Sequence, residues 1–398
     1  MKLTLSVAAF ASVAAAASLF NGFSYNPKQL TTGECPTVDT VKSDLKVLSQ
    51  YTNQVRIYSV NDCNQGEPVL RAMENTDWKV QLGLWVSEVE DVYKKDRDEL
   101  LRLASVFDFK KQVSAVIVGN EAIYRKEQTS AQVAAKVREV KAALTKIGLG
   151  SIPVTVSETW PYYDKTLIDA VDYVNVHAFP FWEGTHIDQA QDKMFGHIYD
   201  IQNLAAGKKV VVGETGWPDG GANYGDAEPS LKNEQRYMKE FICRANIEKI
   251  DYIWFSAFDE AWKPVTNASD VETHWGVLKG DKSPKFAAPM YDCKGFVPNS
   301  KSDAESSVGE DSVDEEDGSA SGSAHHSGSK SGSKGGSGNK SDSEQGSIGD
   351  DDEDVEESES GASGHKNSDE DSDSSSAWAL KAMSIPAAAA VIVAASFF

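Results

Sequence analysis

Eight short apolar segments punctuate the first two thirds of this chain, and their spacing constrains the fold more than any other feature. They are Leu19–Tyr25, Gln54–Tyr58, Val80–Trp85, Val113–Glu121, Val154–Glu158, Tyr173–Phe179, Lys209–Glu214 and Ile250–Phe258. Short runs rich in β-branched and aromatic residues, bounded by polar clusters, read as strands. Most are separated by segments with helical spacing. Val38–Ser49 puts Val41, Leu45 and Leu48 on one face. Ser130–Ile147 opens on a candidate cap, Ser130, and carries Val133, Val137, Val140 and Leu144; Ser230–Asn246 carries Met238, Phe241 and Ile242. Strand and helix in alternation predict a parallel sheet, and eight repeats predict a closed (β/α)8 TIM barrel of the α/β class. No short-period repeat is visible.

Two of the strands end on carboxylates. Val210-Val211-Val212-Gly213-Glu214 runs into Thr215-Gly216-Trp217-Pro218, and Val113 to Val118 runs into Gly119-Asn120-Glu121. A parallel strand is buried on both faces, so a charge at its end is expensive unless paired or used. One such glutamate is as often a solvated loop group or half of an ion pair. Two on one barrel meet across its mouth, because such barrels gather reactive groups at the C-terminal ends of their strands. Facing carboxylates are the standard equipment for glycosidic bond cleavage.

Charge and composition divide the chain. From Lys301 to Asp373 there are 22 Asp and Glu against 5 Lys, which leaves the rest only 5 units of the net charge of -22. From Asn299 to Ser376, Ser, Gly, Asp and Glu dominate. Such a stretch buries too little apolar surface to fold and is expected to be a disordered, self-repelling stalk. Nothing forms a basic stripe, so nucleic acid is not an expected partner. Asn267 and Asn339 head N-glycosylation triplets. His325-His326 alone is too little for a metal site.

Both ends carry address signals. Met1–Ala17 has Lys2, an apolar core and Ala15-Ala16-Ala17, the pattern of a secretory signal peptide. Ile385–Phe398 is short, apolar and terminal, with a spacer and the small residues Ser374-Ser375-Ser376 before it. That is the pattern of a glycosylphosphatidylinositol anchor signal, with Ser374 or Ser375 as the attachment point and 377–398 removed. The domains expected are therefore 1–17 signal, 18–298 barrel, 299–376 stalk and 377–398 propeptide. The four cysteines lack metal-ligand spacing and allow three pairings. In an exported chain the sequence-local pairing, Cys35–Cys63 with Cys243–Cys293, is favoured.

The other strand ends are polar and aromatic: Arg56 and Tyr58, Trp85, Ser157 to Trp160, Asn175 to Trp182, and Phe258 to Lys263. Aromatic faces beside hydrogen-bonding groups suit sugars, which have apolar faces and a rim of hydroxyls. Asn120-Glu121, the Gly213-Glu214-Thr215-Gly216-Trp217-Pro218 block and Glu260 with Lys263 together resemble glycoside hydrolase family 17, in particular its fungal cell-wall β-1,3-glucanases and glucanosyltransferases. The resemblance spans nearly all of the globular part.

That resemblance implies a TIM barrel, retention of anomeric configuration, and no metal or cofactor. Glu121 would be the general acid/base, Glu214 the nucleophile, and Asn120 the partner of the sugar 2-hydroxyl. Glu260 and Lys263 would support the site. Tyr58, Trp85, Trp160, Tyr173, His177, Trp182, Trp217 and Trp262 complete the expected substrate contacts, with Arg56 or Tyr173 stabilising the charged nucleophile. The expected activity is endo-cleavage of wall β-1,3-glucan. The alternatives are glucanosyl transfer through the same intermediate, or glucan binding without catalysis. The expected state is a monomer on the outer face of the cell membrane and in the wall.

Overall fold

The computed structural model describes residues 19–265 and 270–299. All eight strands form, and each is shorter than or close to its expected span. They are β1 (Phe23–Ser24), β2 (Gln54–Arg56), β3 (Lys79–Leu84), β4 (Val113–Asn120), β5 (Val154–Thr159), β6 (Val174–His177), β7 (Val210–Thr215) and β8 (Asp251–Trp254). They close in sequence order into one parallel barrel. Phe23 makes the closure, pairing with Val55 of β2 on one side and Trp254 of β8 on the other. All six residues of β7 are buried, as a strand covered on both faces requires.

The helices are α1 (Val38–Leu48), α2 (Gly66–Ala72), α3 (Glu90–Val106), α4 (Phe109–Gln112), α5 (Ser130–Lys146), α6 (Lys165–Ala170), α7 (Ala190–Leu204) and α8 (Leu231–Glu248). Their apolar stripes face the barrel. Val41, Leu45 and Leu48 of α1 are buried, as are Met238, Phe241 and Ile242 of α8. Each such side chain contributes roughly 1.5–3 kcal/mol by leaving water. α8 and α1 begin on side-chain caps: Ser230 accepts from the Asn233 amide, and Thr37 from that of Thr40. At α5 the cap is Thr129, one residue before the expected Ser130. Thr129 and Gln132 form a reciprocal capping box, which satisfies two end donors where Ser130 would satisfy one.

The eighth repeat departs from expectation. Among the described residues, only one 3-10 turn (Val271–Thr273) follows β8. Residues 284–299 are irregular and pack back on the barrel instead. Lys285, almost fully buried, pairs with Asp219 and Asp259 at 2.9 Å each. Gln235 of α8 donates to the Met290 carbonyl at 2.9 Å, and the Tyr291 hydroxyl donates to the Leu19 carbonyl. Cys293 is bonded to Cys243 of α8, and Cys35 to Cys63, the sequence-local pairing. The expected signal peptide, acidic stalk and anchor signal, with Asn267, Asn339, Ser374 and Ser375, lie outside the described residues.

Chain-entropy arguments give each disulfide, closing loops of 28 and 50 residues, about 3 to 4 kcal/mol. Replacing either cysteine pair by serine should lower the unfolding free energy by about that amount. Guanidinium titration followed by tryptophan fluorescence measures it. A loss under about 1 kcal/mol would show that the remaining contacts already hold these loops.

Candidate active site

The strands bring Glu121 and Glu214 to one rim. One donor atom from each of Glu121, His177 and Glu214 lies within 4.8 Å of the others, so two glutamate oxygens face each other across that gap. The last residues of β4 and β7 set this geometry. Gly119 has φ +91°, a conformation that excludes most side chains, and Glu121 itself is left-handed at φ 55°. The turn swings Glu121 inward over β5, where its amide donates to the Ser157 carbonyl at 2.9 Å. In β7, a Cβ on Gly213 would stand 2.7 Å from the Asn175 amide oxygen, so only glycine lets β6 and β7 approach this closely.

Arg56, on β2, is 1% exposed and reaches across the barrel. Its Nη1 donates to Glu214 Oε1 at 2.7 Å, to the Gly213 carbonyl at 3.1 Å and to His177 Nε2 at 3.0 Å. Its Nη2 donates to Asn120 Oδ1 at 2.5 Å. A guanidinium only donates, so His177 Nε2 is the acceptor and the imidazole proton lies on Nδ1. From there it donates to Glu121 Oε1 at 2.7 Å. Burial lowers the His177 pKa to about 3, so the ring is neutral. The Glu121–His177–Glu214 donor set has a spacing that suits a cation. The Arg56 guanidinium already brings positive charge to two of its three members.

Burial also raises Glu121 to about 7, against the opposing charges of Arg125 and Arg56. Glu158, on β5, is raised further, to about 8, by burial and by the charge of Glu121. Its oxygens accept from the Ile123 and Thr159 amides at 2.9 and 3.0 Å, and the first of these ties it to the turn carrying Glu121. Glu260 and Lys263 form a buried pair at 2.9 Å. Burial opposes the charge on Lys263, but the carboxylates of Glu260, Glu272 and Glu214 outweigh it and raise its pKa. Burial holds Glu272 up at about 7, in the turn after β8.

Two cavities open among the loops at this end of the barrel. Tyr58 and Trp85 line one of about 180 Å³. Tyr124, Trp160 and Trp182 line a smaller one that includes Glu121 and His177. Trp160 stacks on His197 at 4.0 Å, and His197 pairs with Glu183 at 2.8 Å.

Three expected contacts lie elsewhere. Tyr173 immediately precedes β6, so it lines a cavity at the opposite, N-terminal end of the barrel with Gln54, Gln81 and Lys209. Of the two candidates for stabilising Glu214, Arg56 makes the contact. Trp217 has no exposure. It packs against Phe181 and Tyr237 and donates to the Glu228 carbonyl at 2.9 Å, behind the rim. Trp262 lies over Gly33 and Lys28 on the β1–α1 loop and lines neither rim cavity. Glu158, Arg125 and Glu272 were not among the expected site residues. Glu158 repeats the same signal as the other two glutamates, an apolar strand ending in a carboxylate. Glu272 sits in an irregular loop and carries no sequence signal.

The raised carboxylates have a stability consequence. Between about pH 4.5 and 8, folded Glu158 keeps a proton that the unfolded chain has released. Its contribution is full below 4.5 and lost as pH rises through 8. His274, held between Asp219 and Asp270 and raised to about 9, acts in the same direction. The melting temperature should therefore fall from pH 7 to 9. In Glu158→Gln the fall should be shallower, although that variant is less stable throughout. Circular dichroism melts at pH 5, 7 and 9 test this; parallel curves for the two proteins would refute it.

Comparison with known proteins identifies the family. Residues 22–276 match the BtgE/BtgC glycoside hydrolase domain. A glucan 1,3-β-glucosidase of Arthroderma benhamiae is 36% identical over 302 residues, 71% of this chain and 93% of that protein. A probable glucan endo-1,3-β-glucosidase of Aspergillus fumigatus is 33% identical over 70% of this chain and 44% of its own length. The crystal structure of a family 17 β-1,3-glucanosyltransferase from Rhizomucor miehei superposes with a TM-score of 0.62 at 31% identity, covering 69% of this chain and 97% of that one. A barrel whose rim carries paired buried glutamates, matched over most of its length, belongs to the BtgE/BtgC glycoside hydrolase family, a family 17-like group.

Proposed function

We propose that this chain cleaves internal linkages of fungal-wall β-1,3-glucan with retention of configuration, Glu214 acting as nucleophile and Glu121 as acid/base. The observation that carries this reading is the short gap between the two carboxylates. Retaining enzymes hold the pair about 5–5.5 Å apart, whereas inverting enzymes leave about 6.5–9.5 Å for a water. One oxygen of Glu121 and one of Glu214 lie within 4.8 Å of each other, an approach that favours the closer, retaining arrangement.

The surroundings divide the roles. Glu121, raised to about 7, carries a proton under mildly acidic conditions and can give it to the leaving glycosidic oxygen. His177 holds one of its oxygens, leaving the other for that proton. Glu214, with its charge compensated by Arg56, attacks the anomeric carbon as that C–O bond breaks. The proton lost from Glu121 returns when water attacks the glycosyl-enzyme: water gives a proton to Glu121, its oxygen bonds to the anomeric carbon, and Glu214 leaves. Asn120, fixed by Arg56, is placed for the sugar 2-hydroxyl. The β-1,3-glucan assignment rests on the relatives. One solved form of the Rhizomucor miehei glucanosyltransferase is a complex with laminaritriose.

A second reading, transfer to another sugar, has its own support. The cavity beside Glu121 lies on the leaving-group side and is lined by Tyr124, Trp160 and Trp182. Once the leaving group departs, those rings suit an incoming glucan as well as they suited the outgoing one. Product analysis on a reduced laminarin-type oligosaccharide at low and high concentration separates the two, since only transfer yields products longer than the substrate. The terminal signals and both disulfides support export and anchoring on the outer membrane face. Release by a phosphatidylinositol-specific phospholipase tests the anchor.

Chemical rescue tests the roles. Glu214→Ala should lose several orders of magnitude in activity, and azide can restore turnover only by direct displacement, giving the α-azide. Glu121→Ala should still form the intermediate from a substrate with a good leaving group, and azide should release it as the β-azide. The opposite pattern would exchange the two roles. In the wild type, kcat/KM should decline as pH rises above about 7, because Glu121 must be protonated for the first step.

A further inference from the structure

One charged residue sits where a helix should be apolar. Along α3 the inward stripe is Tyr93, Asp96, Leu100 and Leu103, and Asp96 is only 1% exposed. An unpaired carboxylate there is strongly unfavourable. Among the described residues no cation pairs with it; hydrogen bonds from two separate loops do the compensating. Oδ1 accepts from the Val60 amide at 2.8 Å, the Asn61 amide at 2.7 Å and the Ser59 hydroxyl at 2.8 Å. Oδ2 accepts from the Trp85 amide at 2.8 Å and again from Ser59 at 2.9 Å. The Ser59 oxygen in turn accepts from the Asp62 amide at 2.9 Å.

These partners are the loops that follow β2 and β3, and they carry the two aromatic walls of the larger cavity. Tyr58 precedes Ser59 directly, lies over Arg56 and senses the charge of Glu214. Trp85 is held by its own amide and covered by Arg125 at 4.5 Å. Charge-assisted hydrogen bonds to backbone amides are short and directional, so one carboxylate fixes both walls at once. With Glu121 on the leaving-group side, this cavity takes the sugar units on the opposite side, beyond Glu214.

We propose that Asp96 is a positioning residue: by clamping the β2 and β3 loops at the wall of the cavity it lines with them, it sets how strongly the enzyme holds the β-glucosyl units that extend away from Glu214. Both of its oxygens are taken up by those loops. The proposal rests on the reading of the cleft as a glucan site, and its experiment keeps the two apart.

The test compares wild type, Asp96→Asn and Ser59→Ala in the full chain. Asp96→Asn turns an NH2 toward backbone donors, and Ser59→Ala removes one donor and leaves the carboxylate. Without any substrate, amide hydrogen exchange at Val60, Asn61 and Trp85 should quicken at least tenfold in Asp96→Asn, with β7 amides unchanged. Equal exchange in the two proteins overturns the clamp. Kinetics on β-1,3-gluco-oligosaccharides of two to six units should show a loss in kcat/KM that grows with length, reaching tenfold or more and appearing mainly in KM. Ser59→Ala should show the same trend more weakly, and it carries the comparison if Asp96→Asn fails to fold. A loss equal at every length would mean a merely structural role and overturn the proposal. A wild type that cleaves none of these sugars overturns the glucan reading, while the exchange result still decides the clamp.

Discussion

A guanidinium in the middle of a barrel is the constraint on which this site depends. Arg56 is buried, and it belongs to β2 while its partners belong to β4, β6 and β7. It compensates the charge of Glu214, orients Asn120 and dictates which nitrogen of His177 bears the proton. That proton then falls on Glu121. A single cation thus differentiates two identical side chains: one contacts a positive charge, the other a neutral imidazole in a site that disfavours ionisation. Removing one partner of a buried pair typically costs about 3–5 kcal/mol, because the other charge is stranded. This is a reason for the barrel to close so tightly around β6 and β7.

A second level of support lies behind the first. Glu158 holds the turn of Glu121 through the Ile123 amide, and the Glu260–Lys263 pair and Glu272 close the site from β8. The rim is therefore rich in carboxylates, and burial rather than cations holds Glu121, Glu158 and Glu272 up near neutral pH. Lowering the local dielectric keeps Glu121 protonated toward neutral pH. It also makes the folded protein sensitive to alkali, since the same groups resist losing their protons.

Much of this was legible in the chain. A run such as Val210 to Val212 can only be a buried strand, and a glutamate at its end announces itself by breaking the pattern. Glu121, Glu214 and Glu158 share that signal. Periodicity, however, does not say which end of an apolar segment faces the rim, so Tyr173, just before β6, lies at the opposite end of the barrel. Nor does it say whether an aromatic after a strand turns toward the cleft or the core; Trp217 turned inward because Phe181 and Tyr237 leave a slot there. Glu272 lies in a loop without period, placed by tertiary packing alone. The helix expected after β8 failed for a related reason: that part of the sequence has no amphipathic run, and its apolar residues are spaced to plug gaps rather than to line a face.

The substitute for that helix has a mechanical consequence. The irregular C-terminal segment is bonded covalently to the side of α8 through Cys293, and Asn299 then rests against Asp192 of α7. Tension applied to the polypeptide beyond Asn299 would first load that sulfur–sulfur bond and the flank of one helix. The strand and loop that present Glu260 and Lys263 lie upstream of the lock, shielded from the pull. Force entering at Asn299 would therefore reach the outer helices before it reached the strands that carry the rim carboxylates.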